Sequence, residues 1–437
     1  MLLVFCFKSF SLFAQQSISM QEAINFALEN NLDIKKAGIS VRIADNELSR
    51  SKYDRYPDFH VSMAGQLNIG RSLDFTSYSY VNDMTLLSSQ NIESNIIISQ
   101  GGQKTSQIRY NKYILDNNKS AVKRIKNDVT LNVVSLYLKL LSLKNQLIAA
   151  NQQDTLLLKQ LDYEQKNVQA GKKSNIELFR TKVSVAKNQL NITSIQNEIN
   201  YANANFIQLL NLNSNTQLTL EEPTDMEINK DRESIEEIFV KAKDHMPQIK
   251  QAELNKLALE QQVSIAKSAY YPRLSLSANA ASNYSQKLKK TFLDLDEPFF
   301  TQFKTNLYQF VSLNLTFPIF NRFSTKISVA QARLRAEESS ITVIQQHNEL
   351  YKVINQALGD LEASFRTYKY SQDAYLSAKE TYAAVLEKYK LGTAPSIDLD
   401  LAQSELNRTR LESIQSKYEM VFRDKIIDFY LGKPIFY

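Results

Sequence analysis

The chain carries one long pattern of residues twice. The segment IKKA that begins at Ile34 returns as IKQA at Ile249, and a Tyr-Pro pair follows each at the same distance, at 56–57 and at 271–272. The period of roughly 215 to 221 residues is far longer than the roughly 20 to 50 residues of solenoid repeats. The chain is therefore one large supersecondary unit that has been duplicated.

Composition favours regular structure over loops. Nine glycines and eight prolines occur among 437 residues. Both fractions are well below the roughly 7 % glycine and 5 % proline of ordinary proteins. Lysine and arginine number 52 and aspartate and glutamate 46, a net charge of +6. Because the two signs are interspersed, they indicate a solvated helical surface and no nucleic-acid partner.

The first residues have the pattern of a secretory signal. Residues 1–14 are mainly apolar, end at Ala14 and are followed by Gln15-Gln16, as in a signal peptide cleaved after a small residue. The alternative is a buried first helix. A membrane-spanning helix is excluded, because about 14 residues are too few to span a bilayer. The only cysteine, Cys6, would be lost with the signal.

The remaining chain divides into two copies of the same order of elements. We expect a first repeat over 15–220, a linker over 221–232 and a second repeat over 233–437, interlocked as one structural unit. Each repeat is predicted to contain a helix, a β-hairpin, a long helix and a further helix. The first helices, 20–54 and 235–269, end at the Tyr-Pro pairs because proline disfavours helix in the residue before it.

After each Tyr-Pro the hydrophobic period changes from helical to alternating. Alternation of apolar and polar residues predicts β-strands with one apolar and one wet face. Two strands are expected in each repeat, joined by loops at 70–88 and 284–304. The apolar positions are Phe59, Val61, Met63, Leu67 and Ile69, then Ile92, Ile96 and Ile98, then Leu274, Leu276, Ala278 and Ala280, and finally Val311, Leu313, Leu315 and Phe317.

These four strands fit a membrane barrel or a soluble, half-buried sheet. Segments of about ten alternating residues are typical of transmembrane barrel strands. Four strands cannot close a barrel, and in hydrocarbon every edge group needs a partner, so the barrel must be shared between chains. Two chains give eight strands and a filled interior, whereas three give twelve and a lumen, which the polar inner face favours.

The longest helical patterns follow the hairpins. Over Gln103–Ala170 and Arg322–Leu391 apolar residues recur at alternating three- and four-residue spacing, the signature of coiled-coil packing. In the first of these helices the pattern is interrupted at Asp154 and Glu164. At 1.5 Å per residue, each helix is about 100 Å long.

Several short motifs, taken in order, resemble those of the TolC-type outer-membrane efflux channels. They are the Tyr-Pro pairs with Pro57 and Pro272, the segment FPIFN with Pro318 after the second hairpin, and YKLGT at 389–393. The resemblance covers essentially all of the chain after the signal. The first hairpin departs from it, since Gly101-Gly102 stands there without the proline.

The resemblance implies a mainly α-helical fold with a membrane β-barrel portion. Three copies would form a homotrimer, with a shared twelve-stranded barrel in outer-membrane lipid and a tunnel of coiled-coil helices across the periplasm. Pro57, Pro272 and Pro318 would mark the helix-to-strand transitions. Such channels are passive exit ducts for small molecules in tripartite efflux or type I secretion systems. They dock to a periplasmic adaptor protein and to an inner-membrane pump of the resistance-nodulation-division or ABC type.

Two glycines mark the turns between the last helices of each repeat. Glycine ends a helix easily because it adopts positive φ, so Gly171 and Gly392 are expected to be helix C-caps. By resemblance these turns are also the periplasmic tips that contact the adaptor. The tip residues are Ala170, Gly171 and Lys172 in the first repeat, and Leu391, Gly392 and Thr393 in the second.

Carboxylates follow both turns and suggest an entrance. Glu177 and Asp398 each stand six residues after a glycine, with Asp400 nearby. An acid in a first helical turn is commonly only a partner of the helix dipole. By resemblance, Asp398 lines the narrow entrance, where three copies would form a ring of carboxylates that binds cations.

The resemblance is incomplete at this entrance. The best-known family member has a second aspartate at the position of Leu401 and an arginine latch at that of Ala394. Asp400 is then an imperfect substitute for the second aspartate. Tyr389 matches a latch tyrosine. Lys173 holds the place of Ala394 in the first repeat and is expected to pair with Glu177 or Asp398.

No catalytic group competes with this interpretation. The three histidines, His60, His245 and His347, are far apart in sequence, so zinc-ligand spacing is absent, and there is no nucleophile elbow. We therefore expect no enzyme activity, metal or cofactor. The alternatives are a cytoplasmic coiled-coil scaffold and a trimeric surface protein without channel activity. A scaffold would not explain the alternating strands. A trimeric surface protein usually has its strands at one terminus, whereas here the hairpins lie inside each repeat.

Overall fold

The structure, a computed structural model, describes residues 16–74, 79–213, 216, 218–222, 233–287 and 297–433. The expected signal segment 1–14 and most of the expected linker lie outside these residues. In chain order the elements are β1 (Gln16–Ile18), α1 (Met20–Asn30), α2 (Leu32–Tyr53), β2 (His60–Asp74), β3 (Ser79–Gln100), α3 (Gln103–Gln169), α4 (Asn175–Leu210), β4 (Leu218–Leu220), α5 (Ile235–His245), α6 (Pro247–Ser268), β5 (Arg273–Lys287), α7 (Phe299–Thr305), β6 (Tyr308–Thr316), α8 (Ser324–Lys390) and α9 (Ser396–Tyr430).

The duplicated pattern is present in the fold. Each half has two helices, two strands and two further helices in this order, with the short helix α7 inserted between the strands of the second half, and the long helices α3 and α8 both have 67 residues. The predicted mainly helical class with four strands in two repeats is confirmed. Of the described helices, α3 includes a stretch long and apolar enough to cross a bilayer, but 56 % of it is buried inside the protein, as in a core helix.

The prediction of one continuous first helix in each repeat is wrong. Each is broken one third of the way along, between α1 and α2 and between α5 and α6. In the first repeat the Asn31 side chain accepts hydrogen bonds from the amides of Asp33 (2.9 Å) and Ile34 (3.3 Å), and so starts a new helix. In the second repeat Pro247 opens the new helix, because it has no amide hydrogen to donate to the one before.

The four long strands form one antiparallel sheet in the order β2-β3-β5-β6. Within the described residues, β2 and β6 are the two edges, each paired on one side only. The predicted loop over 70–88 is wrong, because β2 continues to Asp74 and β3 begins at Ser79, with these two residues paired. Polar residues such as Ser72, Asn82 and Thr85 interrupt the hydrophobic alternation in this segment, while the ladder of backbone hydrogen bonds continues through it.

The predicted loop over 284–304 is also partly wrong, since it contains the end of β5 and the helix α7. β6 pairs with β5 only as far as Ala281. Beyond that point the buried side chain of Gln302 accepts from the Ser285 amide (3.0 Å) and donates to the Ser285 carbonyl (3.0 Å), as a neighbouring strand would. The helix α7 thus covers the β5 edge that β6 leaves free.

The exits of the two hairpins share a backbone geometry. Gly101 and Gly102 have φ values of 52° and 76°, and the equivalent Arg322 and Phe323 have 53° and 61°. Two consecutive left-handed residues therefore turn the chain from strand to long helix in both repeats. A bulge at Ile98, between Ile97 and Ser99, precedes the first of these turns. The departure from the proline motif in the first hairpin thus leaves the turn itself intact.

The described residues form two compact units, each of which combines parts of both repeats. One contains residues up to 39, 120–250 and 345 onward, and its cores are two clusters of buried apolar residues. The first cluster joins α1, α3, α4 and α9; the second joins α5, α8 and α9. The other unit contains 40–119 and 251–344, with the sheet and a small cluster around Leu48 and Leu115.

Replacing each glycine of the first turn by alanine tests the geometry of the hairpin exit. A Cβ on Gly101 would stand 2.7 Å from the Cβ of Tyr271, whereas a Cβ on Gly102 would meet nothing within 4 Å. Both changes carry the left-handed penalty of about 1–2 kcal/mol, and only Gly101→Ala adds the clash. We expect Gly101→Ala to lower the thermal unfolding midpoint, followed by circular dichroism, clearly more than Gly102→Ala; equal losses would contradict this packing.

Candidate functional site

Both tip turns are built in the same way. Gly171 (φ 70°) and Gly392 (φ 72°) are the left-handed residues that end α3 and α8. The amide of Gly171 donates to the Val168 carbonyl (2.9 Å), and the next amide donates to the Asn167 carbonyl (2.9 Å). The second turn repeats both bonds, so each is a Schellman cap. The predicted adaptor-contact residues Ala170, Gly171 and Lys172, and Leu391, Gly392 and Thr393, are all exposed there.

Three side chains from different elements meet beside these turns, and we call them the tip cluster: Glu164 of α3, Lys173 of the first turn and Tyr389 of α8. The Lys173 ammonium lies 2.9 Å from one Glu164 oxygen and donates a hydrogen bond to the other at 3.0 Å. The Tyr389 hydroxyl donates to Glu164 and accepts from Lys173. Each member thus contacts both others.

The tip cluster is shielded from water. Glu164 is 1 % exposed, and the Lys173 ammonium lies over the rings of Tyr389 (4.2 Å to the centroid) and Tyr163 (5.2 Å). Glu177 adds a longer ion pair to Lys173 at 3.8 Å. Burial, and then the hydrogen bond to Glu164, raise the pKa of the Tyr389 hydroxyl, which therefore stays protonated as a donor.

A further carboxylate stands next to the tip cluster. Asp400 of α9 is half-buried, and within the described part of the chain its buried oxygen has no hydrogen-bond partner. Burial raises the pKa of Asp400 above 3.8; the Arg180 guanidinium opposes the rise, and Glu164 and Glu177 add to it. Since the folded tip binds this proton more tightly than the unfolded chain does, the tip gains stability as the pH falls through the raised pKa.

An apolar stripe runs along α4 from the same end. Ile176, Phe179 and Val183 are exposed at helical spacing. Together with Arg180 and Asp400 they line an open cavity of about 400 Å³. A stripe of large apolar side chains on a helix surface is typical of a contact with another chain.

The structure brings together four of the predicted entrance residues: Lys173, Glu177, Tyr389 and Asp400. It does not bring Asp398 to them. Asp398 is exposed in the first turn of α9 and is absent from the described contacts of the tip cluster. The three proline positions are elsewhere, with Pro57 between α2 and β2, Pro272 between α6 and β5, and Pro318 between β6 and α8.

The sequence contained a signal for one residue that was missed. Glu164 was recognised only as an interruption of the apolar spacing in α3. A carboxylate in a core position is costly unless it is paired, so such an interruption predicts a charged partner. The partners Lys173 and Tyr389 lie 9 and 225 residues away in sequence, and no helical spacing connects the second of them to Glu164.

No other chemistry is evident at this site. Among the residues that the structure describes, no group of three or more His, Cys, Asp or Glu side chains is placed to hold a metal ion. The arrangement offers a buried ion pair, a shared tyrosine hydroxyl and exposed turns. These contacts hold the ends of α3 and α8 together.

Comparisons with known proteins agree with the mainly helical, duplicated fold. The profile of the family described as outer membrane efflux protein matches residues 23–212 and 239–432, one stretch in each repeat. No curated protein matches the sequence.

Solved structures share the fold at low sequence identity. CusC, described with respect to folding and transmembrane channel formation, is 17 % identical with a TM-score of 0.80, covering 97 % of this chain and 96 % of CusC. The outer membrane protein VceC from Vibrio cholerae is 15 % identical with a TM-score of 0.75, covering 95 % and 96 %. The CmeC outer membrane channel of Campylobacter jejuni is 17 % identical with a TM-score of 0.77, covering 94 % and 85 %.

Replacing Lys173 by methionine tests the tip cluster. Lys173→Met leaves a buried Glu164 carboxylate without its cation, a change that costs about 3 kcal/mol or more. The matched control is Lys166→Met, which removes a pair to Asp162 of similar length (2.7 Å) whose side chains are 72 % and 63 % exposed, so we expect less than about 1 kcal/mol. Hydrogen exchange of the amides around 169–175 measures both. Equal acceleration in the two variants would contradict a stabilising tip cluster.

Proposed function

Since the chain belongs to the outer membrane efflux protein family, we propose that it is the passive exit duct of a tripartite efflux or type I secretion system for small molecules. Members of this family are channels of the outer membrane and not enzymes. The observation that carries the proposal is the four-stranded sheet. In the described residues its edge strands β2 and β6 are each paired on one side only, and both have exposed apolar side chains.

The open sheet supports assembly into a homotrimer. In hydrocarbon, the unpaired N–H and C=O groups of β2 and β6 need partners, and another copy of the same sheet supplies both edges. Three copies give twelve strands, enough to enclose a lumen. The apolar stripe of Ile176, Phe179 and Val183 supplies a further surface for a neighbouring copy in the helical part.

The tips support docking to other proteins of an efflux system. Family members are trimeric channels that work with adaptors and inner-membrane pumps. We propose that the exposed turns around Gly171 and Gly392 contact a periplasmic adaptor, and that an inner-membrane pump of the resistance-nodulation-division or ABC type supplies the energy. The helical part would then lie in the periplasm.

The tip cluster supports a closable entrance. Tyr389 links the end of α8 to Glu164 and Lys173 of the other repeat, so the two helix pairs are held together at their ends. Asp398, exposed beside this link, is free to face a threefold axis, where three copies would form a ring of carboxylates. The tip cluster would then hold the entrance narrow, and the ring would favour cations.

Purification from the membrane and reconstitution in planar bilayers test the duct. We expect trimers with ohmic conductance, because three sheets close a barrel with a lumen. A soluble monomer or dimer without conductance would contradict the proposal and favour the coiled-coil scaffold.

Two neighbouring positions of β6 distinguish a membrane barrel from a soluble sheet. Leu313 belongs to the apolar face and is exposed, whereas Ser312 belongs to the polar face. Arginine on the lipid face of a barrel costs about 2–4 kcal/mol near the membrane centre. We expect Leu313→Arg to reduce the yield of membrane-inserted trimer well below that of Ser312→Arg, while similar yields would argue against insertion.

Block by a multivalent cation tests the ring. Removing three equivalent carboxylates with Asp398→Asn is expected to weaken block of the reconstituted channel by about tenfold or more, a loss of 1.4 kcal/mol per factor of ten. Asp400→Asn is the matched control, since Asp400 is half-buried next to Arg180. Unchanged block in Asp398→Asn, or equal weakening in both, would remove the ring.

A further inference from the structure

A large cavity lies where helices meet strands in the unit that contains the sheet. Its volume is about 1110 Å³, slightly above the roughly 300–1,000 Å³ of pockets for drug-sized ligands. It is lined by the end of α2, the turn after it, the start of α3, and parts of β3 and β5. None of the predicted entrance or tip residues belongs to it.

Four of the six strand residues in the wall are polar positions on the wet face of the sheet, and the other two are Ile96 and Ile97. Asn95 of β3 and Arg273, Ser275 and Ser277 of β5 line the cavity, and all four are polar positions of the alternating pattern. The cavity therefore opens on the face that a closed barrel turns towards its lumen. In the proposed duct, three copies would surround the path of the cargo.

The cavity brings cations together. Lys104, at the start of α3, is partly buried and donates to the Asp54 carbonyl oxygen at 2.5 Å. Burial lowers the pKa of Lys104, Asp54 opposes this, and the charges of Arg55 and Arg273 lower it further. Cations that repel one another at a cavity wall are stabilised by an anion between them.

The carboxylates nearby are in part already engaged. Asp58 accepts a hydrogen bond from the Asn95 amide at 2.6 Å and lies 3.6 Å from His60. Asp54 is the remaining acid of the wall. Arg50 adds a cation on the same wall, and its ion pair to Glu47 is long (3.9 Å) and exposed.

Aromatic rings complete the wall. Tyr53 and Tyr56 line the cavity with 67 % and 68 % of their surface exposed. Their ring centroids are 6.3 Å apart and the planes are tilted by 36°. Exposed tyrosines beside cations form a surface for a flat ring that carries a negative charge, because tyrosine offers apolar contact area at low entropic cost.

We propose that this cavity is a binding station for planar organic anions within the duct. Lys104 and Arg273 hold the anionic group, and Tyr53 and Tyr56 contact the ring. The inference rests on the proposed function for its location in the lumen, and it adds a class of cargo to it: aromatic carboxylates, sulfonates and phosphates.

Calorimetric titration of the purified assembly with 2-naphthalenesulfonate tests the station. The neutral 2-naphthol and the non-aromatic methanesulfonate are the matched ligands, and both are expected to bind about tenfold more weakly or not at all. Added KCl should weaken naphthalenesulfonate binding, since the cations act partly through screened charge. Equal binding of 2-naphthol or of methanesulfonate would overturn the proposal.

Variants locate the site. The double change Lys104→Gln with Arg273→Gln should weaken naphthalenesulfonate binding at least about tenfold, as expected for lost charge-assisted hydrogen bonds. The control pair Arg109→Gln with Lys112→Gln removes two exposed cations of α3 outside the cavity and should change binding less than twofold. Similar weakening in both pairs would overturn the assignment. Conductance of the wild-type protein without naphthalenesulfonate binding would refute the station alone, whereas absence of conductance would refute the duct.

Discussion

The hydrogen bonds of the sheet edges are the constraint on which the architecture depends. An unpaired backbone group in hydrocarbon costs several kcal/mol, and in the described residues β2 and β6 each have one free side. One free edge is covered by the chain itself. There the side chain of Gln302 in α7 forms hydrogen bonds with the β5 backbone that a neighbouring strand would otherwise form. β6 has 9 residues and β2 has 15, so a neighbouring β6 can cover only part of β2. In the proposed trimer the lipid-facing part of the seam would therefore be short, and the helical parts would contribute to holding the copies together.

Duplication has preserved backbone conformation more closely than residue identity. The two left-handed residues before each long helix are glycines in the first copy, and Arg322 and Phe323 in the second. A left-handed arginine and phenylalanine are unfavourable by about 1–2 kcal/mol each, so the second turn persists because the elements around it require it. The break in the first helix is likewise produced by an asparagine side chain in one copy and by a proline in the other. The geometry of the strand-to-helix exit is thus the property that both copies retain.

The hydrophobic period predicted the long helices and the existence of all four strands, because many residues contribute to each of those patterns. It did not predict the break at Asn31, since a single capping residue leaves the spacing of its neighbours undisturbed. It also missed the outer ends of the first hairpin, where backbone pairing continues through polar residues. At the tip, Glu164 was visible as an interruption, but its partners come from separate elements. Such a contact depends on how the helices pack, so the spacing of residues along one helix does not predict it.

The two tip turns differ in charge, and this bears on how the tip would open. Lys173 and Glu164 both belong to the first repeat, so their ion pair would stay intact if the proposed entrance opened by α8 and α9 moving away from α3 and α4. Within the tip cluster, that movement would break the bonds of the Tyr389 hydroxyl and the contact of the Lys173 ammonium with the Tyr389 ring. A hydrogen bond to a charged group contributes about 1.5–3 kcal/mol, against about 3–5 kcal/mol for breaking a buried ion pair. Ala394 offers no second ion pair in the other repeat. The tip cluster is thus held across the two repeats by Tyr389 and within one repeat by an ion pair, so that in the proposed opening the repeats would separate without leaving the Glu164 carboxylate unpaired.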